Sequence, residues 1–167
     1  MKLTIFLMSF IFLSFGKLNE PKIIENNGVS IEFPNNWDVM EMPGYPILVQ
    51  EKAKTSEYAP LCNFVVEFDD VNNEIDSYIV YLKNKFKNSA YMTNWEVLSE
   101  RDTEFKGLKA KELITTCDAA GFEFKTKIII VKQKNRIVNL NSSSSVTEFD
   151  KNKGIVDKIY SSVKFIK

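Results

Sequence analysis

The chain has 167 residues, enough for one domain with a real core, and 44% of them are hydrophobic, which excludes a disordered chain. Lys+Arg and Asp+Glu stand at 22 each, a balance that offers nothing to a nucleic-acid or other polyanionic partner. There is no histidine, which removes His-dependent triads, most zinc sites and the commonest general base.

The N-terminus reads MKLTIFLMSFIFLSFGKLNE. Lys2 gives a positive start, and Leu3 to Phe15 form an apolar run of about 13 residues, the length of a signal-peptide core. A membrane span needs roughly 20. Ser14 and Gly16 are small residues at a −3/−1 spacing, so residues 1–16 are expected to be a signal peptide cleaved after Gly16. A buried N-terminal element and an uncleaved anchor are the alternatives. No cysteine follows the run, which argues against a lipoprotein anchor. The mature chain is expected from Lys17 onward, exported to a periplasm or the extracellular space, with no stable membrane anchor. The abundance of Phe, Lys, Asn and Ile fits the coding bias of an AT-rich bacterial genome.

Residues 17–27 read as a polar lead-in, and a single domain is expected over 28–167. Val29, Ile31 and Phe33 alternate with Ser30 and Glu32, a half-buried strand. Pro34 ends its pairing because it has no N–H. Asn35 and Asn36 then turn the chain, and Trp37 folds back over the sheet edge. Pro43-Gly44 marks a turn, Pro46 to Glu51 a second strand, and Asn63 to Phe68 a third. Asn73, with Asp76 three residues on, caps a helix over about 73–88. Its apolar stripe is Ile75, Tyr78, Ile79, Leu82 and Phe86.

Strands over Trp95–Phe105, Leu108–Cys117, Phe122–Lys132 and Arg136–Ser144 follow with short turns, as in an antiparallel meander. In the third of these, Phe122, Phe124, Thr126, Ile128 and Ile130 share one face. The opposite face is charged at one end and apolar at Ile129 and Val131, so partial cover by a second helix is expected. Thr147 and Asp150 make a weak capping box for that helix over about 149–162, and VKFIK forms an extended tail.

This order, with SIEFPNNWDV near the start and IVDKIYSSVKF at the end, resembles the PsbP-like, Mog-type superfamily and its exported bacterial DcrB-like relatives. Phe33, Pro34 and Trp37 match the family's phenylalanine–proline step and tryptophan. Ser162, Lys164 and Phe165 match its short tail. The resemblance spans about residues 28–166. It implies an α+β fold, an antiparallel sheet of about six to seven strands flanked by two main helices in an α/β/α sandwich. It also implies a role in binding other proteins. The metal-linked residues of the plant member find no match here.

Several constellations admit two readings. Cys62 and Cys117 form either a disulfide or two inert buried thiols. Glu67, Asp69, Asp70 and Glu74 suit a hard cation, but without EF-hand spacing they read better as a solvated strand end before a helix. Asn141-Ser142-Ser143 is formally a glycosylation sequon, and Ser142 to Ser145 lack a histidine base. Glu96, Glu100, Asp102 and Glu104 alternate along one strand, and Lys109, Lys111, Lys125 and Lys127 on the next strands balance them, so these lysines are expected to mark an open mixed-charge interaction face. Tyr45, Tyr58, Tyr91 and Trp95 read as core and rim packing or as the lining of a small-molecule or glycan cleft. No catalytic, cofactor or metal residue is assigned. The expected function is a non-catalytic domain that binds an envelope or extracellular protein through its open sheet face or loops. The alternative is a small-molecule or lipid carrier with an apolar cleft between helix and sheet.

Overall fold

The computed structural model describes residues 20–52, 62–70 and 74–166. The expected signal peptide, Tyr58 and Asn73 lie outside these. Among the described residues no helix is long and apolar enough to cross a membrane.

The fold begins inside the segment expected to be a lead-in. Strand β1 (Lys22–Asn26) pairs antiparallel with β2 (Val29–Phe33). Asn27 and Gly28 between them both have positive φ, 46° and 72°, the type I′ geometry that asparagine and glycine tolerate best. Glycine is needed at position 28 for a second reason. A Cβ there would meet the Ile166 carbonyl at 3.2 Å, where the chain's last residues cross. The folded unit therefore starts before Gly28. Strand β1 escaped the sequence reading because no position on it is fully buried, so its apolar residues carry no core signal.

The other strands are β3 (Trp37–Val39), β4 (Ile47–Glu51), β5 (Asn63–Asp69), β6 (Thr93–Phe105), β7 (Leu108–Ala119), β8 (Phe122–Gln133) and β9 (Arg136–Ser145). They form one seven-stranded antiparallel sheet in the order β3-β4-β5-β9-β8-β7-β6. Helix α1 (Ile75–Lys87) follows β5, helix α2 (Val146–Ser162) follows β9, and β10 (Lys164–Phe165) closes a small sheet β1-β2-β10. The described residues thus form an α+β fold with two helices around a large antiparallel sheet.

The helix caps differ from expectation. Glu74 holds the cap position of α1 and Ser145 that of α2, and neither makes a side-chain cap bond. Thr147 instead shares a hydroxyl contact with Ser145 at 3.1 Å, inside the first turn. Both helices are held by packing, which is the usual source of helix stability in a folded chain.

Alternation on the central strands sorts the core into two layers. Phe64, Val66, Ile129, Val131, Val138 and Leu140 face α2 and the small sheet, where they meet Ile31, Phe33, Trp37, Val156, Ile159 and Tyr160. Leu113, Ile128, Ile130 and Ile137 face α1, where they meet Ile75, Tyr78, Ile79 and Leu82. Trp37 is 1% exposed. Its ring lies 6.3 Å from Phe33, stacked, and its backbone N–H donates to the Pro34 carbonyl at 3.0 Å, the turn that folds it inward.

Candidate functional site

Grooves lie on both faces of the sheet, and the one beside α1 is larger than the two that flank α2. Helix α1 is 13 residues long, about 20 Å at the helical rise, and packs over one part of a seven-stranded sheet. Beside it lies a groove of about 440 Å³. The β3–β4 hairpin forms one wall. Its tip is a Met42-Pro43-Gly44-Tyr45 turn, closed by Tyr45 N–H donating to Met42 O at 3.1 Å, with Gly44 at φ 88°. That is the type II arrangement, in which the third residue needs positive φ. The other wall carries Phe86 of α1 stacked on Trp95 of β6, centroids 5.4 Å apart.

The floor is polar. Asn139 is 2% exposed, and its Nδ2 donates to Glu67 Oε2 at 2.8 Å and to the Tyr78 hydroxyl at 3.2 Å. Its Oδ1 has no partner among the described residues. Burial, then the nearby Glu67 carboxylate, raises the Tyr78 phenol. Glu67 is also paired with Lys85 at 3.4 Å. Burial works against the Lys85 ammonium, yet Glu67 beside it leaves the pKa raised on balance. Thr126 donates to Ser143 at 2.9 Å, and Cys117 lies further along the same floor.

The four lysines expected to share an open face do not. Lys109 and Lys111 alternate on β7 with Ala110, on the α1 side, and Lys125 and Lys127 lie on the α2 side. Lys111 is held by Asp76 of α1 at 3.0 Å, Glu100 at 3.4 Å and Asp102 at 3.5 Å. Its hydrogen bond to Asp76 raises its pKa. Lys127 sits 4.9 Å from the Tyr160 ring and pairs with Asp157 and Glu112, and Lys125 lies over Phe149. Lys111, Lys125 and Lys127 thus tie helices to the sheet. The acidic row is divided too. A β-bulge between Val97 and Ser99 pairs Glu96 with Thr116 but Glu100 with Leu113, which point to opposite faces. One extra residue flips everything beyond it.

Cys62 and Cys117 are both free. Cys62 is buried in the α2-side core and Cys117 lies on the α1 side, so the sheet itself stands between them and the bridge is not made. Of the acidic cluster, Glu67 binds Lys85 and Asn139, and Glu74 binds Lys132. Among the described residues no three Cys, Asp or Glu side chains are grouped to hold a metal ion. Asn141 sits within β9 and lines the groove, and Ser142 and Ser144 beside it are buried on the far face. Tyr45 and Trp95 line the groove, and Tyr91 is 88% exposed outside it. The floor residues Gln50, Asn63, Asn139 and Asn141 were missed as a site. The one signal in the sequence was β9 itself, where Asn139, Asn141 and Ser143 alternate with Val138 and Leu140.

The chain matches no known family profile and no curated protein sequence. Its shape does match solved structures. The cyanobacterial PsbP protein of Synechocystis superposes with a TM-score of 0.63 at 11% identity, over 90% of this chain and 95% of that one. The Ran-binding protein Mog1p of Saccharomyces cerevisiae gives 0.61 at 9%, over 89% and 96%. LpqN of Mycobacterium tuberculosis, described as involved in cell envelope biogenesis, gives 0.60 at 12%, over 92% and 88%. At these identities the likeness is one of architecture, and by that architecture the chain has the PsbP/Mog-like fold.

Proposed function

We propose that the chain is an exported, non-catalytic binding domain that engages a protein of the envelope or the extracellular space. The observation that carries this is the β3–β4 hairpin, where Val39, Met40, Met42 and Tyr45 stay exposed within one short turn. Methionine and tyrosine are enriched at protein interfaces, and apolar side chains grouped on a hairpin tip have no folding role to explain them. The Ran-binding activity of Mog1p supports a protein partner, and the envelope role of LpqN supports the location. The test is crosslinking and affinity capture from the native envelope. A specific partner should be recovered by the parent chain and lost with Met40→Asp/Met42→Asp. Recovery of nothing specific by the parent chain overturns the reading. N-terminal sequencing of the exported protein should begin at Lys17.

A second reading is favoured by the groove. Its volume lies within the roughly 300–1,000 Å³ typical of small-ligand sites. On this reading the chain carries a small molecule in the cleft between α1 and the sheet. A spectral titration in which no small ligand perturbs the groove residues would sink it.

A further inference from the structure

The register of the groove floor points to the chemistry of its ligand, and we propose that the groove binds a neutral oligosaccharide. The proposal rests on the cleft reading above and names its ligand class. Gln50 of β4 stands opposite Asn63 of β5, Asn63 opposite Ser143 of β9, Ser143 opposite Thr126 of β8, and Thr126 opposite Thr115 of β7. All five line the groove, four of them half-buried and Thr115, at one end, buried. They form one unbroken row across five adjacent strands, about 19 Å long at the usual strand spacing of about 4.8 Å. Every member is uncharged and offers both a donor and an acceptor.

Such a row suits a chain laid across the strands that presents hydroxyls at intervals near the strand spacing. One sugar ring in an extended glycan has about that length. The walls suit the same ligand. The stacked Phe86–Trp95 pair and Tyr45 offer flat apolar faces to the C–H faces of sugar rings. Asn139 adds a buried acceptor, Oδ1, that no described residue satisfies and that a ligand hydroxyl would complete. Among the described residues the charged ones lining the groove, Glu67 and Lys85, neutralise each other, so an ionic ligand finds no counter-charge there. An acyl chain is the poorer fit, because it would cover the row without returning a hydrogen bond to any member.

The test is a titration of the ¹⁵N-labelled chain with cellopentaose, chitohexaose and maltohexaose, and in a parallel arm with myristate. At least one oligosaccharide should shift the amides of Gln50, Asn63, Thr126 and Ser143 and the indole of Trp95. Trp95→Ala should weaken that binding by about tenfold or more, a loss of about 1.4 kcal/mol. Gln50→Ala, an outward-strand change with little structural cost, should weaken it in the same direction if Trp95→Ala fails to fold. Tyr91→Ala, outside the groove, should leave it unchanged. If myristate moves these amides and no oligosaccharide does, the sugar assignment falls and the cleft reading stands. If neither ligand moves them, both fall. Oligosaccharide shifts confined to residues outside the groove also overturn the proposal.

Discussion

The two faces of the large sheet are built from the same strands but finished differently. The centre of the α2 face is filled, and grooves of about 260 and 300 Å³ flank α2, both smaller than the one beside α1. Phe33, Phe64 and Tyr160 make a continuous run of edge-to-face contacts, with centroids 5.8 and 5.0 Å apart, and Trp37 closes one end against Phe33. The buried Tyr160 hydroxyl donates to the Lys127 carbonyl at 2.9 Å and lies 3.3 Å from the Ser142 hydroxyl, so its polar end is satisfied inside the chain. The α1 face is covered by one short helix, and there Asn139 keeps an acceptor with no partner among the described residues. A buried polar group costs little when paired and about 1–3 kcal/mol when not. The filled centre of the α2 face fixes the fold, and the larger groove on the α1 face, with its unpartnered acceptor, is where binding is to be sought. Trp37 Nε1 is the exception on the α2 side, buried without a partner among the described residues.

The sharpest way to break this contrast is to truncate one tryptophan on each face. Trp37→Ala should lower stability by about 3–5 kcal/mol in a denaturant titration, the usual cost of a fully buried aromatic. Trp95→Ala, half-buried at the groove wall, should cost about 1–2 kcal/mol, since less apolar area leaves water on folding. Similar losses at the two sites would mean that both faces are structural. Trp37→Phe sharpens the point. It removes the unpaired indole N–H together with some volume, and should cost less than about 2 kcal/mol.

A smaller effect tests how polar groups are finished on the α2 side. Tyr160→Phe should lose about 1–2 kcal/mol, because the Lys127 carbonyl and Ser142 hydroxyl lose a partner they cannot replace from solvent. A neutral result would show that water reaches this core.

The α2 face was the more legible of the two in the sequence. Phe33, Pro34 and Trp37 read as strand, stop and returning aromatic, and the structure places Trp37 in the core beside Phe33. Period-2 alternation on β8 separated Ile128 and Ile130 from Ile129 and Val131 correctly, because each side meets a different apolar layer. What alternation cannot show is a bulge. One unpaired residue near Leu98 turned Glu96 to the other face, and the expected acidic row broke. Nor does it show which strands are neighbours. Lys111 and Lys127 look equivalent on paper, yet they serve different helices. The polar row on the groove floor is an across-strand feature, so it becomes visible only when the register of five strands is known.

The Lys111 cluster gives a pH test confined to the α1 face. Hydrogen bonds from Lys83 hold the Glu100 carboxyl below its ordinary value of 4.5, and hydrogen bonds from Lys111 hold Asp76 below 3.8. A carboxyl depressed in the folded chain stabilises it above the unfolded pKa, and that contribution is lost as pH falls through the folded value. The parent should therefore lose stability on acidification from about pH 5 downward, and Lys111→Met should show a shallower acid limb. Both carboxylates are well exposed, so the difference should be small and should shrink further at high salt. Equal acid limbs would mean that solvent, not the α1 face, holds these charges.

The smallest expected effect on stability, and the finest probe of the contrast, comes from the two thiols. Burial and then Glu51 push the Cys62 thiol up to about 12, and burial and then Asp118 raise that of Cys117. Neither is a ready thiolate at neutral pH, and only the thiolate is reactive. They differ in access, since Cys62 is 2% exposed and Cys117 is half-buried on the groove floor. Iodoacetamide at pH 8 should therefore add slowly to Cys117 in the folded chain and reach Cys62 only after denaturation, read as one and then two adducts by intact mass. Cys117→Ser should change stability by less than about 0.5 kcal/mol. Equal native labelling of both thiols would show that the α2 face opens as readily as the groove. A non-reduced mass two hydrogens short would show the disulfide that the sheet is here found to prevent. Protection of Cys117 by a groove-bound oligosaccharide, with Cys62 unchanged, would tie the open face to its ligand.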